Sequence, residues 1–132
     1  MLLDTHVLVW LDSGDTRLGK KALTAIDKTF KENTLFVSAI SFWEVAMLIE
    51  KKRLEISVPV DQWRKNLLDN GLQEIALKGD IAIQSANFPH FHGDSADRMI
   101  IASAVNSNAA LCTADKKILS WKNPAQRIDA RR

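Results

Sequence analysis

Cysteine is almost missing from this 132-residue chain. Cys112 stands alone, so no internal disulfide can form, and such a sequence suits a reducing cytoplasm. Long hydrophobic runs are missing too. None approaches the ~18–20 residues of a membrane span, which argues against a membrane partner. The opening Met-Leu-Leu-Asp has no basic n-region and no cleavage pattern, so no signal peptide is expected. Neither sign of charge prevails: 18 Lys and Arg against 16 Asp and Glu leave a formal net charge of +2. That balance neither demands nor excludes a nucleic-acid partner. No repeat, low-complexity stretch or linker interrupts the chain. Residues 1–132 read as a single domain, large enough to bury roughly two-thirds of its unfolded surface.

What is present is an alternation of short apolar segments and helical ones. Met1–Leu3 reads as a strand closed by Asp4; His6–Leu11 is apolar and ambiguous, and residues 12–17 form a loop. Leu18, Ala22, Leu23, Ile26 and Phe30 recur at helical spacing as far as Lys31. Leu35–Val37 is a second strand, followed by a helix over Ala39–Lys52. Val60, Trp63, Leu67 and Leu68 mark another helix, stopped by Asn70-Gly71. Leu72–Leu77 and Ala109–Thr113 are strands, Gly79–Asn87, Ser95–Asn106 and Asp115–Trp121 are helices, and Ile128 belongs to a weak last strand. This order predicts an α/β fold with a mostly parallel sheet covered on both faces. Sites in such sheets form beyond the carboxyl ends of the strands.

One residue sits badly in that scheme. Glu44 lies in Ser-Ala-Ile-Ser-Phe-Trp-Glu-Val-Ala-Met-Leu-Ile (38–49), a run apolar nearly all round, which predicts a buried helix. Its helical neighbours Ile40, Trp43, Met47 and Leu48 cannot neutralise it. A lone carboxylate in such surroundings costs several kcal/mol unless something distant pairs with it. The partner is either a basic side chain elsewhere or a metal ion shared with other acids.

Other acids fall where the fold converges. Asp4 follows the first strand and Asp115 the fourth, so parallel strands bring them to one edge. Asp94 and Asp97 open the Ser95–Asn106 helix, where an N-cap role is open to Asp94, and Asp97 can serve both as a capping-box partner stabilised by the helix dipole and as a site acid. Asp115 has a capping role open to it and Asp4 an Asx-turn; Glu44 has neither. Clustered carboxylates raise one another's pKa unless a cation stands among them. Hard divalent ions such as Mg²⁺ or Mn²⁺ favour these oxygen ligands and serve phosphodiester hydrolysis.

Four blocks, in order, then carry a resemblance: Leu-Leu-Asp-Thr-His (2–6), Val-Ser-Ala-Ile-Ser-Phe-Trp-Glu (37–44), Asp-Ser-Ala-Asp-Arg-Met-Ile (94–100) and Thr-Ala-Asp (113–115). Over nearly its whole length the chain resembles a PIN domain, specifically the VapC toxins of bacterial and archaeal toxin–antitoxin systems. The resemblance implies a three-layer α/β/α sandwich and Mg²⁺- or Mn²⁺-dependent cleavage of single-stranded RNA by activated water. It implies a 5′-phosphate and a 3′-hydroxyl on the products, a homodimer, and a cognate VapB-type antitoxin that inserts near the acidic edge. The acidic quartet falls on Asp4, Glu44, Asp97 and Asp115, with Asp4 and Asp97 as direct metal ligands. Thr5, Ser38 and Thr113 match small hydroxyl positions that orient carboxylates or water, and Asp94 matches the first acid of a block that often reads Asp-Pro-x-Asp-Arg. Ser95 replaces that proline and supplies capping chemistry instead. Arg98, Lys116 and Lys117 adjoin ligand positions and are candidates to touch substrate phosphates.

Rival readings are a housekeeping PIN nuclease without an antitoxin, and a receiver-like signalling domain. The latter needs a phospho-acceptor Asp at the third strand, where this chain has Ile75-Ala76-Leu77. His90 and His92 form a His-x-His pair without the further Cys or His of a structural zinc site, and His6 is given no catalytic role. Cys112 reads as a small core residue and Trp43 and Trp63 as core or interface. Trp10 and the Leu48–Leu54 region are candidates for a dimer or antitoxin surface.

Overall fold

The computed structural model describes residues 1–89, 91, 93–122 and 125–132, so the His90 and His92 pair lies outside the described residues. Within them, strands β1 (Leu2–Leu3), β2 (Phe36–Ser38), β3 (Gln73–Ile75), β4 (Leu111–Thr113) and β5 (Arg127–Asp129) form one sheet in the order β3-β2-β1-β4-β5. All its neighbours run parallel. The helices between them are α1 (Thr5–Ser13), α2 (Lys20–Lys31), α3 (Ala39–Glu50), α4 (Val60–Asp69), α5 (Gly79–Ala86), α6 (Ser95–Asn106) and α7 (Lys116–Ser120).

Register explains the layers. Leu3 pairs with Val37 and with Cys112, and Cys112 with Ile128. This row packs into the core that holds Val7, Leu8, Ala22, Ile26 and Trp63 of α1, α2 and α4. One residue earlier, Phe36, Leu2 and Leu111 form the neighbouring row, and pack against Ile100, Ile101, Ala104 and Ile118 of α6 and α7. Successive strand residues point to opposite faces, so the short apolar strands are buried on both sides by helices. The result is the expected three-layer α/β/α sandwich.

Asp4 ends β1 and caps α1, accepting the Thr5 N–H at 2.8 Å. A cap immediately after the strand turns the ambiguous segment into helix, with Val7, Leu8 and Trp10 buried, and Gly14 closes it in the left-handed conformation at φ 66°. The Asx-turn that stood as the alternative role for Asp4 gives way to this cap. Helix α3 departs from the expectation of burial all round. Only Ser41, Phe42 and Val45 are buried in it, and Trp43 is 55% exposed. Trp10, expected at a surface, is 5% exposed. Cys112 is fully buried with its thiol pushed up to about 12 by desolvation, which makes it an inert core residue.

The last residues are tied back to the start of α2. The Arg132 carbonyl accepts the N–H groups of Lys21 and Ala22, and Gly19 donates its N–H to the Ala130 carbonyl. A side chain on Gly19 would land on the Arg132 backbone, so only glycine admits this approach. Among the described residues no helix is long and apolar enough to cross a membrane.

Candidate active site

The chain runs from β1 to β2 and β3 on one side, then returns to β4 on the other. The winding order therefore reverses between the parallel strands β1 and β4, and a crevice opens beyond their carboxyl ends. A cleft of about 440 Å³ at this edge is lined by Asp4, Glu44, Asp94, Asp97 and Asp115, together with His6, Trp10, Arg17, Ala114 and Arg131. All four acids of the expected quartet are brought together, with Asp94 beside them.

Asp4 is the anchor. It is 6% exposed, and besides the Thr5 N–H it accepts the Thr113 hydroxyl at 2.7 Å. Thr113 Oγ1 in turn accepts the Asp115 N–H at 3.0 Å, so β4 fixes both acids through one hydroxyl. Burial still lifts the Asp4 carboxyl above the ordinary range, against the pull of those hydrogen bonds. Removing this hydroxyl isolates its contribution. Thr113→Val should lower stability by about 1–3 kcal/mol, the usual penalty for leaving a buried acceptor unpaired. Urea unfolding checks it, and an unchanged midpoint contradicts it.

Glu44 projects from the second turn of α3 onto Thr5, whose Oγ1 lies 2.6 Å from Glu44 Oε1 and 2.8 Å from Ser41 Oγ. A carboxylate only accepts, so the Thr5 proton goes to Glu44 and Ser41 supplies its own to Thr5. Burial raises the Glu44 pKa, and Asp4 and Asp94 raise it further. No basic partner meets it: among the described residues the ion pairs are Arg17–Asp15, Arg64–Glu74, Lys65–Asp69 and Arg132–Asp129. None includes an acid of the quartet.

Asp97 is the most exceptional group. It sits in the first turn of α6, half-buried, and makes no side-chain hydrogen bond among the described residues. Its pKa is pushed up to about 7, first by burial and then by Asp94, Asp4, Glu44 and Asp115. Asp94 caps α6 through the Asp97 N–H at 2.9 Å. Asp115 caps α7 through the Lys117 N–H at 2.8 Å. Both therefore cap and line the cleft at once.

The donor set is entirely hard oxygen, apart from the exposed imidazole of His6. Among the described residues no three candidate ligands form a ready-made chelate. That arrangement does not suit a structural zinc or a calcium cage. It suits Mg²⁺ or Mn²⁺, which hold to one or two carboxylates and fill their remaining positions with water and phosphate oxygens.

Some expected residues have other jobs. Ser38 caps α3 through the Ile40 N–H at 3.2 Å and makes no hydrogen bond to an acid among the described residues; Ser41, one turn on, holds the network instead. Arg98 was expected at substrate phosphates, but its guanidinium donates to the backbone carbonyls of Ser85, Phe88 and Phe91 and so clamps the segment before α6. Lys116 and Lys117 are exposed at the start of α7, next to Asp115. Arg17 and Arg131 went unread: Asp15-Thr-Arg17 is an ordinary loop, and only the pairing of β5 with β4 brings Arg131 to the cleft.

The PIN domain family model matches residues 1–122. The chain belongs to the PIN-domain family. This PIN domain is 33% identical over 125 residues to the protein named Ribonuclease VapC22 of Mycobacterium tuberculosis (strain ATCC 25618 / H37Rv), covering 94% of this chain and 93% of that one. Its fold is shared with a toxin–antitoxin complex from Klebsiella pneumoniae (TM-score 0.67, 21% identity, 98% and 96% of the two chains). It is shared also with VapBC2 from Rickettsia felis bound to a promoter DNA fragment (TM-score 0.70, 17% identity, 97% and 96%). Membership in this family removes the receiver-like reading.

Proposed function

We propose that this PIN domain is an endoribonuclease that cleaves single-stranded RNA with Mg²⁺ or Mn²⁺, and that it is the toxin of a VapBC-type pair. The observation that carries the metal is the convergence of Asp4, Glu44, Asp97 and Asp115 with no cationic side chain among the described residues paired to any of them. The relative named as a VapC ribonuclease supports the choice of RNA and of VapC over a housekeeping nuclease. A groove lined by Trp43, Met47, Leu48, Lys51 and Arg53 opens beside Glu44 and Asp94. An apolar strip of this kind, ending in cations, supports an antitoxin partner that reaches toward the acids. A homodimer and a cytoplasmic location belong to the same reading.

The residues divide the work by how they are held. Asp4 and Asp97 would be the direct ligands, with Glu44 and Asp115 completing the set directly or through water. The bound ion would neutralise phosphate oxygens and lower the pKa of the attacking water. Thr113 and Thr5 keep Asp4 and Glu44 aimed into the cleft, so little reorganisation remains when charge develops at phosphorus. A carboxylate of the cluster takes the proton from the attacking water. No side chain forms a covalent bond to the substrate.

Water forms the new P–O bond, the P–O3′ bond breaks, and the departing 3′-oxygen takes up a proton. The purified chain, given single-stranded RNA and Mg²⁺ or Mn²⁺, should yield fragments with a 5′-phosphate and a 3′-hydroxyl, and EDTA should stop it. Fragments ending in a 2′,3′-cyclic phosphate would overturn this mechanism, because they arise from attack by the neighbouring 2′-hydroxyl.

A further inference from the structure

We infer that Arg17 and Arg131 form a two-guanidinium clamp for a backbone phosphate of the RNA strand next to the one being cleaved. This assignment rests on the nuclease reading of the acidic cleft. An RNA strand entering a cleft lined by five carboxylates meets repulsion everywhere except at the metal and at whatever cations share the cleft. Arg98 is not such a cation, since its donors are turned to backbone carbonyls. Arg17 and Arg131 are: both line the same cleft as Asp4, Asp97 and Asp115, and both are exposed.

They arrive from distant parts of the chain and meet on one indole. Arg17 comes from the loop between α1 and α2, Arg131 from just beyond β5. Their guanidinium carbons lie 4.9 Å and 5.4 Å from the Trp10 ring centroid. Trp10 is left 5% exposed, so it is a platform for two cations rather than a surface on which a base can stack.

Each fork is held on one side and open on another. Asp15 grips Arg17 through Nε at 3.1 Å and Nη2 at 2.7 Å, which leaves Nη1 without a partner among the described residues. Arg131 donates Nη1 to the Ala114 carbonyl at 3.4 Å, which leaves Nε and Nη2 without a partner among the described residues. Its backbone N–H is pinned to Asp129 Oδ1 at 3.0 Å. Planar forks held this way match phosphate oxygens, and little side-chain freedom is lost on binding. A polyanion with regularly repeated charges can place one phosphate at the acids and its neighbour on the clamp. That repetition favours an RNA strand over a carboxylate-bearing peptide.

The test uses glutamine, which keeps a stem over Trp10 while removing the charge. Binding of a fluorescein-labelled single-stranded oligoribonucleotide is followed by anisotropy with Mn²⁺ over a range of salt, in an Asp97→Asn background that does not turn over. Arg17→Gln and Arg131→Gln should each weaken binding about tenfold at low salt. Each should also lower the slope of log affinity against log salt by about 0.7, the signature of one phosphate contact to a single strand. Arg17→Lys and Arg131→Lys should recover part of both effects, and unfolding midpoints should stay level. Unchanged affinity and slope in the two glutamine variants overturns the clamp. So does a loss confined to binding of a co-expressed protein partner. Cleavage of the same oligonucleotide by the chain with intact acids is read in parallel. Arginine-dependent binding without any cleavage sinks the nuclease reading and leaves the clamp, whereas cleavage with arginine-independent binding sinks the clamp alone.

Discussion

Asparagine in place of Asp97 should lower the rate of RNA cleavage roughly 10²–10³-fold and leave the metal-free protein as stable as before or more so. The size follows from removing one preorganised charged group at the reacting centre. The sign of the stability change follows from the surroundings of Asp97. Its carboxylate makes no hydrogen bond among the described residues, and four other acids push its pKa upward. Structure is therefore not what it is retained for. Asp4→Asn should lose as much activity but reads less cleanly, because Asp4 also caps α1 and accepts the Thr113 hydroxyl. Glu44→Gln should behave like Asp97→Asn, since it relieves a half-buried charge whose only hydrogen bond among the described residues is to Thr5. Urea unfolding in EDTA, run beside single-turnover cleavage, separates the two effects. A marked loss of stability in Asp97→Asn would instead assign this acid a structural role.

Stripped of divalent ions, the protein should become less stable as pH rises from about 4 to about 7. The Asp97 carboxyl has an ordinary value of 3.8 and is pushed up to about 7 in the folded chain. Between those values the folded state binds more protons than the unfolded one, so stability falls with rising pH, and the loss is complete above about 7. Asp4 and Glu44 are shifted in the same direction and add to the slope. Asp15 is shifted the other way, down to about 2 by Arg17, but its contribution changes only below the ordinary carboxylate range and leaves this window alone. Mn²⁺ or Mg²⁺ at pH 7–8 should reverse the decline, by about 2.7 kcal/mol at a hundredfold excess over the dissociation constant. Asp97→Asn should flatten the pH slope and blunt the metal response. Thermal unfolding at several pH values, with and without metal, measures all of this. A metal-free protein that gains stability steadily across this range would contradict the charge cluster.

Local pattern carried the frame of this molecule, and long-range packing carried its detail. The carboxyl ends of strands and the caps of helices are local features. Asp4, Asp94 and Asp115 could therefore be placed at one edge from spacing alone, and Ser95–Asn106 begins and ends where its caps say it should. Glu44 was legible because its neighbours in α3 offer it nothing. Its full surroundings were not: Trp43 is exposed, and the bond that orients Glu44 comes from Thr5 in another helix. The hydroxyl assigned to Ser38 belongs to Ser41, since Ser38 is spent on a cap. Arg98 beside Asp97 looked like a substrate contact and is a loop clamp, because its reach is set by where the Ser85, Phe88 and Phe91 carbonyls lie. Arg131 joins Arg17 on Trp10 through β5 pairing, which no local spacing announces.

The most direct test is to titrate Mn²⁺ into EDTA-stripped protein while following single-turnover cleavage of a labelled single-stranded RNA, for the parent chain and for Asp97→Asn. Cleavage should be absent without metal, return saturably as metal is added, and stay at least about 10²-fold lower in the variant at saturation. Cleavage that persists in EDTA, or that Asp97→Asn leaves unchanged, would mean that the acidic cleft is not the catalytic metal site.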